Sequence, residues 1–236
     1  GYDIYSPQGK LLEFNMQEVT IPGRSTDTVR FTPFIYGTNA NKWEPGAKNP
    51  PLYKVMLFTR RDGAYREYMP LKIGFGKTEL VDGRLTRFGK ELKLVKAGYN
   101  AAADRKTTLA ELKALKAKGN NTICPDYPQP GWFYDLCDEL GLYVIDCANI
   151  NAPEKRDDRK VGGTPSNDPS LADEYLERVK AMYYRSRNHS CVIAFALGGE
   201  SGNGYNMYKA YEWLKSVEKS RPVICADADG EWNSDL

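Results

Sequence analysis

Two rhythms of apolar and polar residues divide the chain. Up to about residue 90 the apolar positions alternate or come in short runs between turn formers. Residues 11–16 follow the turn Pro7-Gln8-Gly9-Lys10, and 19–21 end at Pro22-Gly23. Residues 29–32 and 53–58 alternate as half-buried strands do. Arg61-Asp62-Gly63 is a hairpin signal leading into 65–68 and 71–73, and Asp82-Gly83 and Phe88-Gly89-Lys90 read as turns. Short strands at this spacing predict a small antiparallel sandwich over residues 1–88.

From residue 89 onward the period alternates between strand and helix. Residues 92–97, 121–124, 142–145, 192–197 and 222–225 are apolar strands. Between them lie amphipathic helices. One begins at the capping box Thr108-x-x-Glu111 and stops at Gly119; a second carries Trp132, Phe133, Leu136 and Leu140 up to Gly141. A third opens at Asp168-Pro169, and the fourth shows Tyr208, Tyr211, Leu214 and Val217. Strands apolar on both sides and separated by such helices predict a parallel sheet with right-handed crossovers. Five strands in about 145 residues are either an open sheet or the first part of a (β/α)₈ barrel, which needs eight and ~250 residues.

Composition narrows the chemistry. With 41% hydrophobic and 27% charged residues the chain is an ordinary globular one. A net charge of +2 and no long basic run argue against nucleic acid as a partner, and no apolar stretch reaches the ~20 residues of a membrane span. The compartment, cytoplasmic or periplasmic, stays open. Any His-based metal site or proton relay would have to use His189, which is expected to cap a helix end. Five cysteines without paired C-x-x-C spacing read as reduced and structural, so neither a metal nor a cofactor is expected.

In parallel α/β architectures chemistry gathers where the strands end. Those ends carry Asn100, Asp126, Asp146 with Asn149 and Asn151, Glu200 with Ser201 and Asn203, and Asp227 with Asp229. Tyr127, Trp132, Tyr205 and Trp232 lie nearby. Acids and amides satisfy hydroxyls while aromatic faces cover ring C–H groups, which suits a sugar; each residue singly could instead cap the helix that follows it. The segment Gly198-Gly199-Glu200-Ser201-Gly202-Asn203-Gly204 leaves one glutamate uncrowded at a strand tip. It matches no phosphate-binding pattern.

Several longer runs resemble glycoside hydrolase family two, the β-galactosidase and β-glucuronidase group. They are the run from Trp132 through Cys137-Asp138-Glu139-Leu140-Gly141-Leu142-Tyr143-Val144-Ile145-Asp146, then Arg187-Asn188-His189-Ser190 through Glu200-Ser201-Gly202-Asn203-Gly204, and Ser220-Arg221-Pro222-Val223. In the first half, Trp43-Glu44-Pro45, Asn49-Pro50-Pro51-Leu52-Tyr53 and Ile73-Gly74-Phe75-Gly76 are similar to the immunoglobulin-like domain that precedes the family's barrel. The resemblance implies a partial immunoglobulin-like sandwich (1–88) followed by five of eight units of a TIM barrel (89–236), with a β-galactosidase-like member as the nearest type.

It also implies a retaining mechanism on terminal β-linked sugars, with Glu200 as acid/base and a second carboxylate ~5–5.5 Å away as nucleophile. Glu200 would then need burial or a neighbouring negative charge to hold its proton before attack. The family's nucleophile comes from the seventh strand, and no residue here matches it, so the separated chain is expected to lack turnover. Other family positions differ too. The asparagine before the acid/base is Gly199, a strand-three glutamate is Cys147, the first-strand polar cluster is Ala101 to Ala103 with Asp104, and two second-strand positions are Ile123 and Asp126. The magnesium ligands of some members align with Asn151 and Pro153. The expected sugar contacts are Asn100, Asp126, Asn149, Asn151 and Trp232. A degenerate glycan-binding or scaffold relative is the alternative. Two strand edges and an apolar interior face left by an unclosed barrel predict self-association.

Overall fold

A computed structural model describes residues 1–45, 47 and 49–236. Packing divides the chain into two compact units: residues 1–43 with 51–75, and residues 44–50 with 76–236. The expected junction at 88/89 therefore lies inside the second unit.

The first unit is built on one antiparallel sheet of four strands, β1 (Tyr2–Tyr5), β2 (Leu11–Asn15), β3 (Tyr53–Arg61) and β4 (Ala64–Ile73), in the order β2-β1-β3-β4. Asp62 and Gly63, with φ of 54° and 77°, form the two-residue turn between β3 and β4 whose twist matches the strands it joins. The two strands expected over 65–68 and 71–73 are one continuous β4. Its Pro70 is accommodated because β4 is the sheet's outer strand. Residues 19–21 and 29–32 do not pair; the chain from 16 to 36 runs without strand. Phe31 nevertheless packs edge-on against Tyr2, with ring centroids 5.0 Å apart. Among the described residues this unit holds one sheet rather than two packed layers.

The second unit opens with a three-stranded antiparallel sheet, β5 (Thr78–Val81), β6 (Arg84–Arg87) and β7 (Lys90–Glu91). Five parallel strands follow: β8 (Lys96–Gly98), β9 (Thr122–Cys124), β10 (Tyr143–Cys147), β11 (Val192–Ala196) and β12 (Val223–Ile224). They are connected through α1 (Arg105–Ala117), α2 (Gly131–Leu140), α3 (Ala172–Ser186) and α4 (Tyr205–Val217). The sheet order β12-β11-β10-β9-β8 follows the sequence without reversal. An open doubly wound sheet reverses at a switch point. Strands added always on the same side by right-handed crossovers instead form an arc of a (β/α) barrel.

Local chemistry sets the helix ends. α1 begins one turn earlier than the Thr108–Glu111 box suggests, because Asp104 caps it, accepting from the Thr107 N–H at 2.8 Å. Thr108 is buried within the helix, and Glu111 takes the Tyr99 hydroxyl. α2 stops at Gly141, whose φ of 66° places it in the left-handed region. Asp168 caps a short 3₁₀ turn, Pro169–Leu171, that runs into α3. The core lies between the sheet and these helices; Ile123, Val144, Ile193 and Phe195 on the strands and Leu112, Phe133, Met182 and Leu214 on the helices are all buried.

Two sequence expectations change here. His189 closes the end of α3 only through its backbone, its N–H donating to Ser186 O at 3.0 Å; its side chain turns elsewhere, with Nδ1 2.7 Å from Asp138 Oδ2, and the other oxygen of that buried carboxylate accepts the Cys191 N–H at 2.7 Å. The apolar interior face is not laid open either, because β10 and β11 are buried at every position except Ala196. The β12 edge is also engaged. Asp235 donates its N–H to Val223 O at 2.8 Å and accepts the Val223 N–H, and Ser234 accepts the Cys225 N–H.

Candidate active site

The carboxyl ends of the five parallel strands carry a rim of polar residues. At the β8 and β9 ends, Asn100 and Asp126 bond reciprocally: Asn100 Nδ2 donates to Asp126 Oδ2 at 3.0 Å, and the Asp126 N–H donates to Asn100 Oδ1 at 3.2 Å. Gln129 completes the cluster. Its Nε2 donates to Asn100 Oδ1 at 3.0 Å and its Oε1 accepts the Ala101 N–H at 2.6 Å. Asn100 is thus held in one orientation with its carbonyl used twice, while Asp126 stays exposed.

Beyond β10, the expected pair of asparagines separates in role. Asn151 donates to the Tyr127 hydroxyl at 3.0 Å, which links the rim of β10 to that of β9. Asn149 is exposed, and its main-chain carbonyl accepts from Arg178 Nη1 at 2.6 Å. Cys147 is buried, and burial together with the Asp146 charge pushes its thiol up to about 12, so the position is uncharged at neutral pH. Asp146 points away from solvent. Burial raises it, although hydrogen bonds from Ser186 and Tyr134 and the charge of Arg185 oppose that.

The glycine-rich segment after β11 is secured through its backbone and through the buried side chains of Ser201, which donates to Ile150 O, and Asn203, which pairs with Asn233. Gly199 N–H donates to Ile150 O and Ala152 N–H to Glu200 O, both at 2.9 Å. Asp227 Oδ2 accepts the N–H groups of Ser201 and Gly202 at 2.8 and 2.6 Å. Gly202 has φ +70° and a Cβ there would come within 2.6 Å of Arg156 O, so both backbone angle and space demand glycine. Carried on this segment, the Glu200 side chain is 69% exposed. Its neighbour is Arg156, with Nη1 3.5 Å from Glu200 Oε1 and Nη2 2.7 Å from Asp227 Oδ1. The sequence reading asked for burial or a neighbouring negative charge. The structure provides exposure and a positive one.

Sequence reasoning missed Arg156 and Gln129. Arg156 lies in the charged run Glu154-Lys155-Arg156-Asp157-Asp158-Arg159-Lys160, which resembles an ordinary solvated loop. Together with Arg159, which meets Asp229 and Glu231, it straps that loop to the β12 end. Trp232 is 55% exposed, but its partners are the rings of Tyr208 and Tyr211, both on α4, 5.2 and 5.6 Å away, rather than the amides of the rim.

One grouping has metal-ligand chemistry among the described residues: atoms of Asp138, His189 and Cys191 lie within 4.8 Å of one another. Both carboxylate oxygens are already hydrogen-bonded, and burial pushes the Cys191 thiol well up, away from the thiolate a metal requires. The group fits an internal brace between α2 and the start of β11 better than a metal centre. No helix among the described residues is long and apolar enough to cross a membrane.

Comparison with known proteins follows the same lines. The model of the family described as glycosyl hydrolases family 2, TIM barrel domain, matches residues 99–235. β-Galactosidases of Vibrio cholerae and Lactococcus lactis are 34% and 36% identical over 185 and 190 residues, 74% of this chain and 18% of theirs in both cases. The chain thus spans less than a fifth of the length of these curated relatives. A putative β-galactosidase from Bacteroides fragilis superimposes with a TM-score of 0.76 at 18% identity, covering 95% of this chain and 33% of that one. A β-glucuronidase from Parabacteroides merdae gives 0.70 at 18% identity, covering 95% and 29%.

Proposed function

The chain belongs to family 2 of the glycosyl hydrolases, and from that premise we propose that it forms the first five strands of a retaining glycosidase barrel acting on terminal β-galactoside-type sugars. Glu200 gives its proton to the leaving glycosidic oxygen. Asn100, Asp126, Asn149 and Asn151 hold sugar hydroxyls, and Trp232 offers an aromatic face. The four-stranded sheet is one layer of an immunoglobulin-like sandwich. The attacking carboxylate is not among these 236 residues, so the separated chain does not turn over. Copies of it associate through the β8 edge, and a clean monomer by light scattering at high concentration would overturn that last point.

One observation carries the reading: a single exposed glutamate stands at the tip of β11, on a backbone-secured loop, on the same sheet rim as the amides. A donor in that role matters most for poor leaving groups. In the protein as encoded, Glu200→Gln should slow hydrolysis of a phenyl β-galactoside by about 10²–10⁴, and that of a dinitrophenyl β-galactoside, whose oxygen needs no proton, far less. Equal losses on the two substrates would remove Glu200 from the role, and robust turnover by the separated 236 residues would refute the missing nucleophile.

A second reading, a glycan-binding relative without catalysis, is favoured by the cation beside Glu200 and by the uncharged Cys147. Sugar binding without any hydrolysis in the encoded protein would select it.

A further inference from the structure

The four-stranded sheet of the first unit has one face that carries exposed aromatic rings among cations. We propose that this face binds an acidic polysaccharide, a chain whose carboxylates are separated by pyranose rings, and that it does so independently of the barrel rim.

Register assigns the two faces, because residues opposite each other in an antiparallel pair share a side and alternate residues along a strand do too. Tyr2, Ile4 and Tyr53 lie on one side and are buried, so the sheet packs there and a second layer has its place there. Phe58 opposes Tyr68 on the other side, and Arg60 opposes Tyr65 one step nearer the turn. Tyr65 stacks on Tyr68 with ring centroids 5.2 Å apart, and Phe58 meets Tyr65 edge-on at 5.1 Å. The Arg60 guanidinium lies over the Tyr65 ring, 5.0 Å from its centroid. Tyr65 and Tyr68 nevertheless stay 49% and 59% exposed. Tyrosines braced in this way offer apolar faces to sugar C–H groups and lose little freedom on binding.

Charge selects the class of ligand. Lys54 and Lys72 oppose each other on the same side, and Arg60 stands six residues along β3 from Lys54, about 20 Å at the rise of a strand. Against these three cations the strands set one carboxylate on this side, Asp3. Lys54 and Arg60 have no ion pair among the described residues, and Arg60 spends two of its five donors, on Gly63 O and Met16 Sδ. A neutral glycan leaves these charges unused. Duplex nucleic acid carries a charge every ~1.7 Å of its axis and calls for a denser line of cations than three over this length. Rings between spaced cations match a chain whose own charges are spaced by rings.

The test is a ¹H–¹⁵N NMR titration of this chain with polygalacturonate, with the same polymer fully methyl-esterified, and with a thymidine oligonucleotide. Saturable shifts are expected at the amides of 54–60 and 65–69 with polygalacturonate, at least about tenfold weaker with the uncharged ester and weaker in high salt. Tyr68→Ala, at an exposed position, should weaken binding at least about tenfold with the remaining spectrum unchanged. Lys54→Gln should weaken it about threefold and reduce its dependence on salt. Tyr184→Ala, which removes an exposed ring from the second unit, should leave it intact, as should Glu200→Gln. Binding is read here without turnover and away from Glu200 in sequence, so failure of the glycosidase reading and failure of this face give separate results. No saturable shift at these amides, the ester bound as tightly as the acid, the oligonucleotide bound more tightly than polygalacturonate, or affinity unaffected by Tyr68→Ala would overturn the assignment.

Discussion

Asp227 is the residue whose replacement should most disturb the Glu200 loop. Its Oδ2 accepts two buried N–H groups, from Ser201 and Gly202, and its Oδ1 takes Arg156. Asp227→Ala orphans both N–H donors, and a buried donor left without a partner costs about 1–2 kcal/mol or more. The lost ion pair adds only about 0.5–1 kcal/mol, because Arg156 is 38% exposed and solvent screens it. The total is about 3–5 kcal/mol. Asp227→Asn separates the two effects: its carbonyl can replace Oδ2 toward the loop, while its NH₂ faces Arg156, so it should cost only about 0.5–1.5 kcal/mol. With a urea m-value of about 2 kcal/mol/M for the second unit, Asp227→Ala lowers its midpoint by about 1.5–2.5 M. Amide exchange at Ser201 and Gly202 should accelerate in the alanine variant far more than in the asparagine one. A midpoint shift under about 0.5 M for Asp227→Ala would show that the two N–H groups find other partners, and the account of how this loop is held would fail.

The same loop separates two glycines. A Cβ at Gly199 would meet Asn151 Oδ1 at 3.6 Å, an ordinary contact, so Gly199→Asn should change stability by less than about 1 kcal/mol in the same urea assay. Gly202→Ala combines φ +70° with a 2.6 Å clash against backbone and should cost at least about 2 kcal/mol. Acid sensitivity should concentrate at Asp235 and Glu218. Burial opposes the ionisation of each, but Lys215, the Val223 N–H and Tyr211 hold Asp235 below the usual carboxylate range, and Arg221 with the Ser220 N–H does so for Glu218. A depressed folded value means that this stability is present above the unfolded carboxylate range, near pH 4, and is lost as pH falls through the folded value. The urea midpoint should therefore drop below about pH 4, less steeply in Asp235→Asn; equal acid limbs in the two proteins would refute the linkage.

How much was legible depended on whether a residue's partner was close in sequence. The strand–helix alternation after residue 89 was readable because Phe133, Leu136, Val179 and Met182 recur at helical spacing and their burial is demanded by that spacing. Gly119 and Gly141 marked helix ends through their own backbone angles. The segments 19–21 and 29–32 misled, since β-forming side chains make a strand only where a neighbour supplies ladder partners, and none pairs here. α1 starts at Arg105 rather than after Thr108, since Asp104 accepts the Thr107 N–H and Thr108 is buried inside the helix. At the rim, residue types at strand ends could be listed from the sequence. The Arg156 link to Asp227 spans 71 residues and could not be. Nor did any local pattern reveal that His189 would meet Asp138, 51 residues earlier.

The way the glycine-rich segment is fastened bears on how such a chain evolves. Its anchors are main-chain groups, Asp227 and the buried side chains of Ser201 and Asn203, while the side chain at position 200 makes one screened ion pair and otherwise faces solvent. Replacing that side chain removes almost nothing from the folded state, so a lineage can surrender or regain proton donation by a single codon change without first finding compensating mutations. Foldability and chemistry are thereby subject to separate selection at this one position.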